Sequence, residues 1–272
     1  MGGVELRQVG QVAFREAIPD GRERGDPVLC LHGFPETSYM WRHLLPAIAS
    51  NGHRAVAPDF PGFGASAADP PASWERLVEF TERFVVSLGL DRVVLVVHDW
   101  GGLIGLRWAC DHPGRVAALV ISDSGFFPDG SWHGMAQGLR TPEVGEEMLA
   151  GLDRASFGQL MAASSSGLEE GALDEYWRSL GREEGRRATL EMYRSGDFEK
   201  LRPYEGALAS LGVPTLLLWG ERDEFAPLAG AHRFRREIPG ARLEVVEGAG
   251  HFIYADAPER CAEAVVGFIG GL

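Results

Sequence analysis

The sequence predicts an α/β protein built on a mostly parallel, doubly wound β-sheet, with a helical cap inserted after the sixth strand. Short apolar runs without polar alternation recur along the 272 residues, a pattern typical of parallel strands that are buried on both faces. Helical patterns separate these runs, as in doubly wound sheets. Between about residues 125 and 207 only loops and helices are indicated, which predicts the cap.

Six apolar runs are the clearest strand candidates: PVLCLHG, HRAVAPD, RVVLVVHD, RVAALVISD, PTLLLWGERD and ARLEVVEGAGH. The helical patterns of the core are SYMWRHLLPAIAS, WERLVEFTERFVVSLG, GLIGLRWACDHPG, PLAGAHRFRREIPG and PERCAEAVVGFIGG. We therefore assign residues 1–124 and 208–272 to the core and 125–207 to the cap. In such sheets ligands bind at the carboxyl ends of the strands, so polar residues there are the functional candidates.

The charge and the apolar content of the sequence indicate which binding partners and which cellular location to expect. The 39 acidic and 26 basic residues give a formal charge of −13, which disfavours nucleic acid, anionic membranes and small anionic substrates and favours a small neutral or cationic substrate. No segment approaches the roughly 20 apolar residues of a membrane helix, and MGGVELRQVG lacks the apolar region of a signal peptide. We expect a cytoplasmic monomer or homodimer.

Neither the cysteines nor the histidines indicate a metal or a cofactor. Cys30, Cys110 and Cys261 lie far apart in apolar stretches, where a buried structural thiol is expected. No His/Cys/Glu spacing matches a metal site. We therefore expect an enzyme without metal or cofactor.

The stretch VVLVVHDWGGLIGLRW, residues 93–108, reads as a buried strand, a sharp turn and a helix. A residue at such a turn points into the ligand crevice beside the positive end of the helix, which predicts a lowered pKa for the Asp99 carboxyl. Gly101 and Gly102 permit the close approach of strand and helix. The alternative is that Asp99 merely caps the helix.

Two further polar residues follow buried strands in chain order, Asp223 in GERDEF and His251 in GAGHF. An acid beside a histidine fixes the imidazole tautomer, and the imidazole then removes a proton from water or from a nucleophile. Asp123, which follows another strand at the same sheet edge, is the alternative partner of His251.

Upstream, the His-Gly turn of LCLHGFPE ends another buried strand. The backbone N–H groups of Phe34 and Trp100 are the candidates for an oxyanion hole. His32 is interpreted as an orienting hydrogen-bonding residue. Pro35 is a candidate for a cis peptide bond in a tight turn.

The motifs HGFPE, PDFPGFGAS, HDWGG, GERD and GAGHF, in this order, resemble those of the α/β-hydrolase superfamily from about residue 28 to the C-terminus. HGFPE together with HDWGG is most similar to the epoxide hydrolase family, and the haloalkane dehalogenases are near neighbours that share the Asp-Trp pair. The resemblance implies the α/β-hydrolase fold, with Asp99 as nucleophile and with Asp223 and His251 activating water.

An aspartate nucleophile changes the chemistry that a serine would perform. A carboxylate attacks a saturated carbon by displacement and becomes an ester, whereas a serine attacks a carbonyl. Water activated by His251 then hydrolyses the ester, while the Phe34 and Trp100 amides stabilise the oxyanion. The sequence therefore favours hydrolysis of an epoxide to a diol, and dehalogenation of a haloalkane is the alternative.

The leaving group distinguishes these two activities. Phe34 stands where many dehalogenases carry an Asn, and LEMYRSGDF resembles the epoxide hydrolase segment that carries an acidic tyrosine, here Tyr193. Tyr176 in LDEYWRSL is the candidate for a second tyrosine. Trp100 and Trp177 are candidates for halide donors, and together with Phe34 and Pro35 they are expected to line the pocket. A binding protein without activity is the remote alternative.

Overall fold

The computed structural model describes residues 3–272, so Met1 and Gly2 of the predicted core segment lie outside the described residues. Within this range eight strands form one sheet. The strands are β1 (Glu5–Val9), β2 (Val12–Ala17), β3 (Val28–Leu31), β4 (Ala55–Pro58), β5 (Val93–His98), β6 (Val116–Ser122), β7 (Thr215–Gly220) and β8 (Arg242–Val246).

The strand order is β1-β2-β4-β3-β5-β6-β7-β8. The strands from β3 to β8 are parallel to their neighbours, and β1 and β2 are antiparallel additions at one edge. The six predicted runs correspond to β3 through β8, and the mostly parallel α/β sheet is confirmed. β1 lacks the apolar signature because it is an edge strand with four of its five residues exposed. In β2 the run is interrupted by Arg15 and Glu16.

Helices cover both faces of the sheet and fill the segment between β6 and β7. No helix in the range 3–272 is long and apolar enough to cross a membrane. The α-helices are α1 (Leu44–Ser50), α2 (Trp74–Ser87), α3 (Trp100–Asp111), α4 (Gly134–Arg140), α5 (Val144–Ala150), α6 (Arg154–Ser164), α7 (Glu170–Leu180), α8 (Glu183–Ser195), α9 (Ala207–Ser210), α10 (Leu228–Glu237), α11 (Ile253–Asp256) and α12 (Pro258–Ile269).

The predicted cap, 125–207, contains α4 to α8 and a 3₁₀ segment, Phe198–Tyr204. Its helices have one apolar face each; in α7 the buried residues recur every three or four positions. Hydrogen bonds join the cap to the core, for example from the Gly64 N–H to Ser179 Oγ at 2.8 Å. The cap thus lies against the loops at the carboxyl ends of the strands.

The turn between β5 and α3 positions Asp99. Asp99 has φ 47° and ψ −121°, a backbone conformation that few non-glycine residues adopt. Its carbonyl accepts hydrogen bonds from the Gly102 N–H at 2.8 Å and from Ser124 Oγ at 2.7 Å. The Asp99 side chain makes no capping hydrogen bond to α3, so the capping alternative does not describe this residue.

Two glycines allow helix α3 to start this close to the sheet. A Cβ atom on Gly101 would lie 2.2 Å from the Leu31 carbonyl oxygen, and one on Gly102 would lie 2.0 Å from Ser124 Oγ. The first contact is with backbone, which cannot move aside cheaply. The Gly-Gly pair is therefore a requirement of the turn that holds Asp99.

Replacement of Gly101 by alanine should destabilise the fold, because the added methyl group overlaps the β3 backbone. We expect a loss of roughly 1–3 kcal/mol in the free energy of unfolding, measured by urea denaturation. Gly134→Ala is the matched control, since a Cβ there meets nothing within 4 Å. Equal stability of the two variants would contradict this account of the turn.

Candidate active site

The sheet brings the predicted catalytic residues to one edge. Phe34 follows β3, Asp99 follows β5, Asp223 follows β7 and His251 follows β8. All four lie past the carboxyl ends of parallel strands, where the crossover connections leave a crevice. The arrangement places a nucleophile candidate, a base and an acid within one site.

His251 connects the two carboxylates. Its Nδ1 atom lies 2.8 Å from Asp223 Oδ2, and its Nε2 atom lies 4.0 Å from Asp99 Oδ1. The other Asp223 oxygen accepts the backbone N–H groups of Phe225 and Ala226 at 2.8 and 2.9 Å. Asp223 is thereby held in place, and it orients the Nε2 atom of His251 towards Asp99.

Asp123, the alternative partner, does not contact His251. Its Oδ1 accepts the Gly220 N–H at 2.9 Å, and its Oδ2 lies 3.8 Å from His98 Nδ1. Burial, together with the neighbouring charge of Asp223, raises the pKa of Asp123 well above its usual range. Asp123 is therefore a neutral, buried neighbour of the acid that pairs with the histidine.

Two backbone N–H groups point to the Asp99 carboxylate. The Phe34 N–H donates to Asp99 Oδ2 at 2.8 Å, and the Trp100 N–H also stabilises the ionised form. The expected lowering of the Asp99 pKa is wrong in its net direction. Burial raises this pKa more than His251 and the two amides lower it.

The loop that carries Phe34 is fixed from behind by His32. The Phe60 N–H donates to His32 Nε2 at 3.0 Å, so Nδ1 carries the proton and donates to the Gly33 carbonyl at 2.8 Å. Burial lowers the pKa of His32, which keeps the ring neutral. His32 thus has the expected orienting geometry, and the Phe34–Pro35 peptide bond is cis.

The charges around His251 control its protonation. Burial disfavours the imidazolium, but the carboxylates of Asp223, Asp99 and Glu36 outweigh burial and raise the pKa of His251 to about 9. Burial opposes ionisation of Asp223 as well, yet its contacts with His251 hold the pKa of that carboxyl below the usual range. In the free protein the pair is therefore ionic at neutral pH.

A cavity extends from Asp99 into the cap, and the empty space in it and at its mouth is about 770 Å³, part of which is open to solvent. Asp99, whose side chain is 24% exposed, lies on its wall with His251, Phe34 and Pro35. The remaining walls are mainly aliphatic and thioether side chains from the cap, among them Met135, Leu139, Met148, Leu149, Leu152, Leu160, Met161 and Leu180. The site suits an uncharged apolar molecule.

Tyr193 contributes a phenol group to the lining of this cavity. It projects from α8, is 2% exposed, and makes edge contacts with Phe34 and Trp100 at ring distances of 5.2 Å each. Burial and the Asp99 charge raise its pKa well above the usual range, and the neighbouring Trp100 side chain opposes this rise. The Tyr193 hydroxyl therefore keeps its proton beside Asp99.

The structure does not bring Tyr176 or Trp177 to the cavity. Tyr176 belongs to the buried face of α7 and is fully buried. Burial and the charge of Glu36 raise its pKa, while Arg42 lowers it. Trp177 is one position further around the helix and packs on Phe157 at 5.5 Å. Neither side chain lines the cavity that contains Asp99, which corrects the expectation that they face the substrate.

Two residues of the site were not identified from the sequence. Glu36, quoted only within HGFPE, is 1% exposed and its Oε2 atom lies 3.3 Å from His98 Nε2. Burial raises the pKa of Glu36 to about 8. His133, just before α4, lines the cavity and contacts the Phe225 ring at 5.0 Å. Glu36 could have been identified from its place in the HGFPE motif, whereas no sequence pattern points to His133.

The fold and the site define a hydrolase with an aspartate at the strand-to-helix turn. The family model described as alpha/beta hydrolase fold matches residues 26–258, and the chain belongs to this family. The expected family resemblance is confirmed by this match. Its relatives are haloalkane dehalogenases, and its structural neighbours include an epoxide hydrolase, so the chain is a hydrolase.

The relatives and solved structures include both activities. The chain is 29% identical to a haloalkane dehalogenase of Psychrobacter cryohalolentis, covering 93% of this chain and 86% of the relative. It is 32% identical to one of Mycobacterium marinum, covering 92% and 86%. Among structures, a haloalkane dehalogenase of Bradyrhizobium elkani has a TM-score of 0.84 at 25% identity, covering 99% and 98%. An epoxide hydrolase of Vigna radiata has 0.82 at 25%, also covering 99% and 98%.

Replacement by asparagine should have different effects at the two aspartates near His251. Asp223→Asn should lower kcat by about 10³- to 10⁴-fold, because an amide no longer stabilises the imidazolium or fixes its tautomer. Asp123→Asn should stay within about tenfold of wild type, because asparagine tolerates the positive φ of 44° and replaces a neutral carboxyl.

This comparison uses kcat of both variants on one substrate, with melting temperatures to verify folding. Equal losses in two folded variants would contradict the assignment of Asp223 as the charged partner.

Proposed function

We propose that the protein is an epoxide hydrolase that converts epoxides to vicinal diols through an ester on Asp99. The observation that carries this proposal is the Tyr193 phenol, which stays protonated in the same cavity as the Asp99 carboxylate. An opening epoxide leaves as an alkoxide and needs a proton donor, whereas a halide leaves without one.

In the first step the free carboxylate oxygen of Asp99, Oδ1, attacks a ring carbon of the epoxide. The C–O bond of the ring breaks, and the oxygen takes the proton of the Tyr193 hydroxyl. The Trp100 side chain, whose ring lies 5.2 Å from the Tyr193 ring, lowers the Tyr193 pKa and so favours the phenolate that this transfer produces. The product is a hydroxyalkyl ester of Asp99.

Before the second step the His251 imidazolium gives up its proton, which returns to the Tyr193 phenolate by way of solvent. The neutral imidazole of His251 then accepts a proton from the water that attacks the Asp99 carbonyl carbon. Esterification removes the negative charge of Asp99, one of the groups that raises the His251 pKa, so the imidazole becomes a base more readily in the intermediate. The carbonyl oxygen that becomes the oxyanion is held by the Phe34 and Trp100 amides. Collapse of the tetrahedral intermediate breaks the acyl C–O bond, and the expelled alkoxide takes the remaining proton of the water. The diol then leaves, and the Asp99 carboxylate and the His251 imidazolium are regenerated.

Haloalkane dehalogenation is the second candidate, and the named relatives favour it. The same Asp99 ester and the same hydrolysis serve both reactions. A halide requires N–H donors beside the nucleophile, and here the position after His32-Gly33 carries the apolar ring of Phe34. The donor set therefore supports the epoxide more than the halide.

Epoxide and halide turnover should be measured side by side on the purified protein. We expect diol from styrene oxide and little bromide from a 1-bromoalkane, with neither product from Asp99→Ala. Bromide without diol would transfer the proposal to dehalogenation. Neither product from any epoxide or haloalkane would contradict both candidates.

Tyr193→Phe separates the two chemistries within one cavity. Loss of the hydroxyl should lower kcat/KM for epoxides by roughly 10²-fold or more, since the alkoxide then lacks its proton donor. Any bromide release should be much less affected. Unchanged epoxide turnover in the phenylalanine variant would remove Tyr193 from the mechanism.

The pH dependence of kcat/KM should report Asp99. Because the Asp99 pKa is raised, the nucleophile becomes protonated, and inactive, at a higher pH than an ordinary aspartate with a pKa of about 4. We expect kcat/KM to fall on acidification with a midpoint above that value. A midpoint below about 4 would contradict the burial that the structure gives this carboxyl.

A further inference from the structure

Asp256 connects the loop that carries His251 to the cap, and the mechanism above does not use it. It is the last residue of α11, the short helix that follows His251. Its Oδ2 atom accepts the Gly250 N–H at 2.9 Å, and its Oδ1 atom accepts donors from the segment between α6 and α7. One carboxylate therefore joins the residue before the proposed base to the cap.

Residues 165–167, the cap loop, supply three donors to the Oδ1 atom of Asp256. The Ser165 hydroxyl lies 2.5 Å from this oxygen, and the backbone nitrogens of Ser166 and Gly167 lie 3.0 and 3.1 Å from it. A Cβ atom on Gly167 would lie 2.1 Å from the Ala255 carbonyl oxygen, so a glycine is needed for the loop to lie this close to α11. A carboxylate can accept all of these hydrogen bonds because it has two acceptor oxygens and no donor.

The cap loop continues directly from α6, a helix that lines the substrate cavity. Met161 and Ser164, near the end of α6, lie on the cavity wall, as does His251. A Cβ atom on Gly250 would lie 3.0 Å from the Ser164 carbonyl oxygen, so the end of α6 is in close contact with the backbone beside His251. The wall that contacts the substrate and the loop of the base are thus adjacent, and Asp256 is bonded to both.

Hydrolysis of the ester depends on the position of His251, whereas His251 transfers no proton when the ester forms. Asp223 holds the ring at one atom, Nδ1, at 2.8 Å, and the bond from Gly250 to Asp256 holds the backbone just before it. The Nε2 atom has to face the water in front of the Asp99 carbonyl, and a displacement of about 1 Å in such a geometry can cost about 10²-fold in rate. Loss of the Asp256 bonds should therefore slow the second step and leave the first nearly unchanged.

We propose that Asp256 is a positioning residue for hydrolysis of the Asp99 ester, and that it holds the backbone of the His251 loop against the cap wall of the cavity. The inference rests on the proposed function, because it uses the ester and its hydrolysis by His251. It holds for either leaving group. It goes further by giving the cap loop, which is distant from His251 in the sequence, an effect on the second step alone.

Three substitutions test this role without changing Asp99, Tyr193 or His251. Asp256→Asn replaces one acceptor oxygen by an NH₂ group, which can only donate, so one side of the link is lost whichever way the amide is turned. Ser165→Ala removes a single donor on the cap side. Ser166→Ala is the matched control, since the Ser166 side chain is exposed and its contact with Asp256 is made by the backbone N–H, which alanine retains.

Single-turnover kinetics with enzyme in excess should resolve the two steps, with formation and decay of the Asp99 ester followed by quenched-flow mass spectrometry of the intact protein. In Asp256→Asn we expect the rate constant of hydrolysis to fall roughly 10- to 100-fold and that of ester formation to stay within about threefold, so that the ester accumulates and kcat and KM fall together. Ser165→Ala should show a smaller loss in the same step, and Ser166→Ala none. Equal slowing of both steps, or unchanged hydrolysis, in folded Asp256→Asn would overturn the proposal.

Hydrogen–deuterium exchange keeps this inference separate from the proposed function, because it requires no turnover. Asp256→Asn and Ser165→Ala should both raise the exchange of the peptide that contains Gly250, whereas Ser166→Ala should not. If no epoxide or haloalkane is turned over but this exchange pattern occurs, the proposed function is wrong and the link between the cap loop and the His251 loop stands. If turnover occurs and the exchange of the Gly250 peptide is unchanged in Asp256→Asn, the positioning role is wrong.

Discussion

The hydrogen bond from the Phe34 N–H to the Asp99 carboxylate is the interaction on which the site depends. It joins the loop after β3 to the turn after β5, and it fixes which carboxylate oxygen is held and which is free. Gly101 lets helix α3 begin against the β3 backbone, where a Cβ atom would lie 2.2 Å from the Leu31 carbonyl oxygen. The positive φ of Asp99 and the hydrogen bond from the Phe34 N–H together orient the Asp99 carboxylate.

Around this bond the structure balances buried charges. His251 bears the charge of an imidazolium between Asp223 and Asp99, while Asp123 is neutral behind them. Burial alone favours the neutral form of each of these groups. The attraction and the hydrogen bond between Asp223 and His251 keep that pair ionic. Conversion of Asp99 to an ester removes one charge from the set, so the proposed chemistry itself prepares His251 for the second step.

Local sequence signals predicted the core and the polar side chains at its carboxyl edge, because a buried parallel strand followed by Gly-rich polar residues is a short-range pattern. The geometry of Asp99, Asp223 and His251 agrees with that prediction. The cap was less predictable, since a helix places neighbouring residues on different faces: α7 turns Tyr176 inward, while α8 directs Tyr193 into the cavity. The link through Asp256 left no trace in the sequence, because its donors in the cap lie 89 to 91 residues earlier in the chain.

The central claim is that Asp99 forms an ester with the substrate, and a single turnover in H₂¹⁸O tests it most directly. With enzyme in excess over an epoxide, water attacks the Asp99 carbonyl, so the diol should contain only ¹⁶O. The peptide that contains Asp99 should gain one ¹⁸O atom, detected by mass spectrometry after proteolysis. Appearance of ¹⁸O in the diol at the first turnover, with an unlabelled Asp99 peptide, would mean that water attacks the substrate directly and would contradict the account.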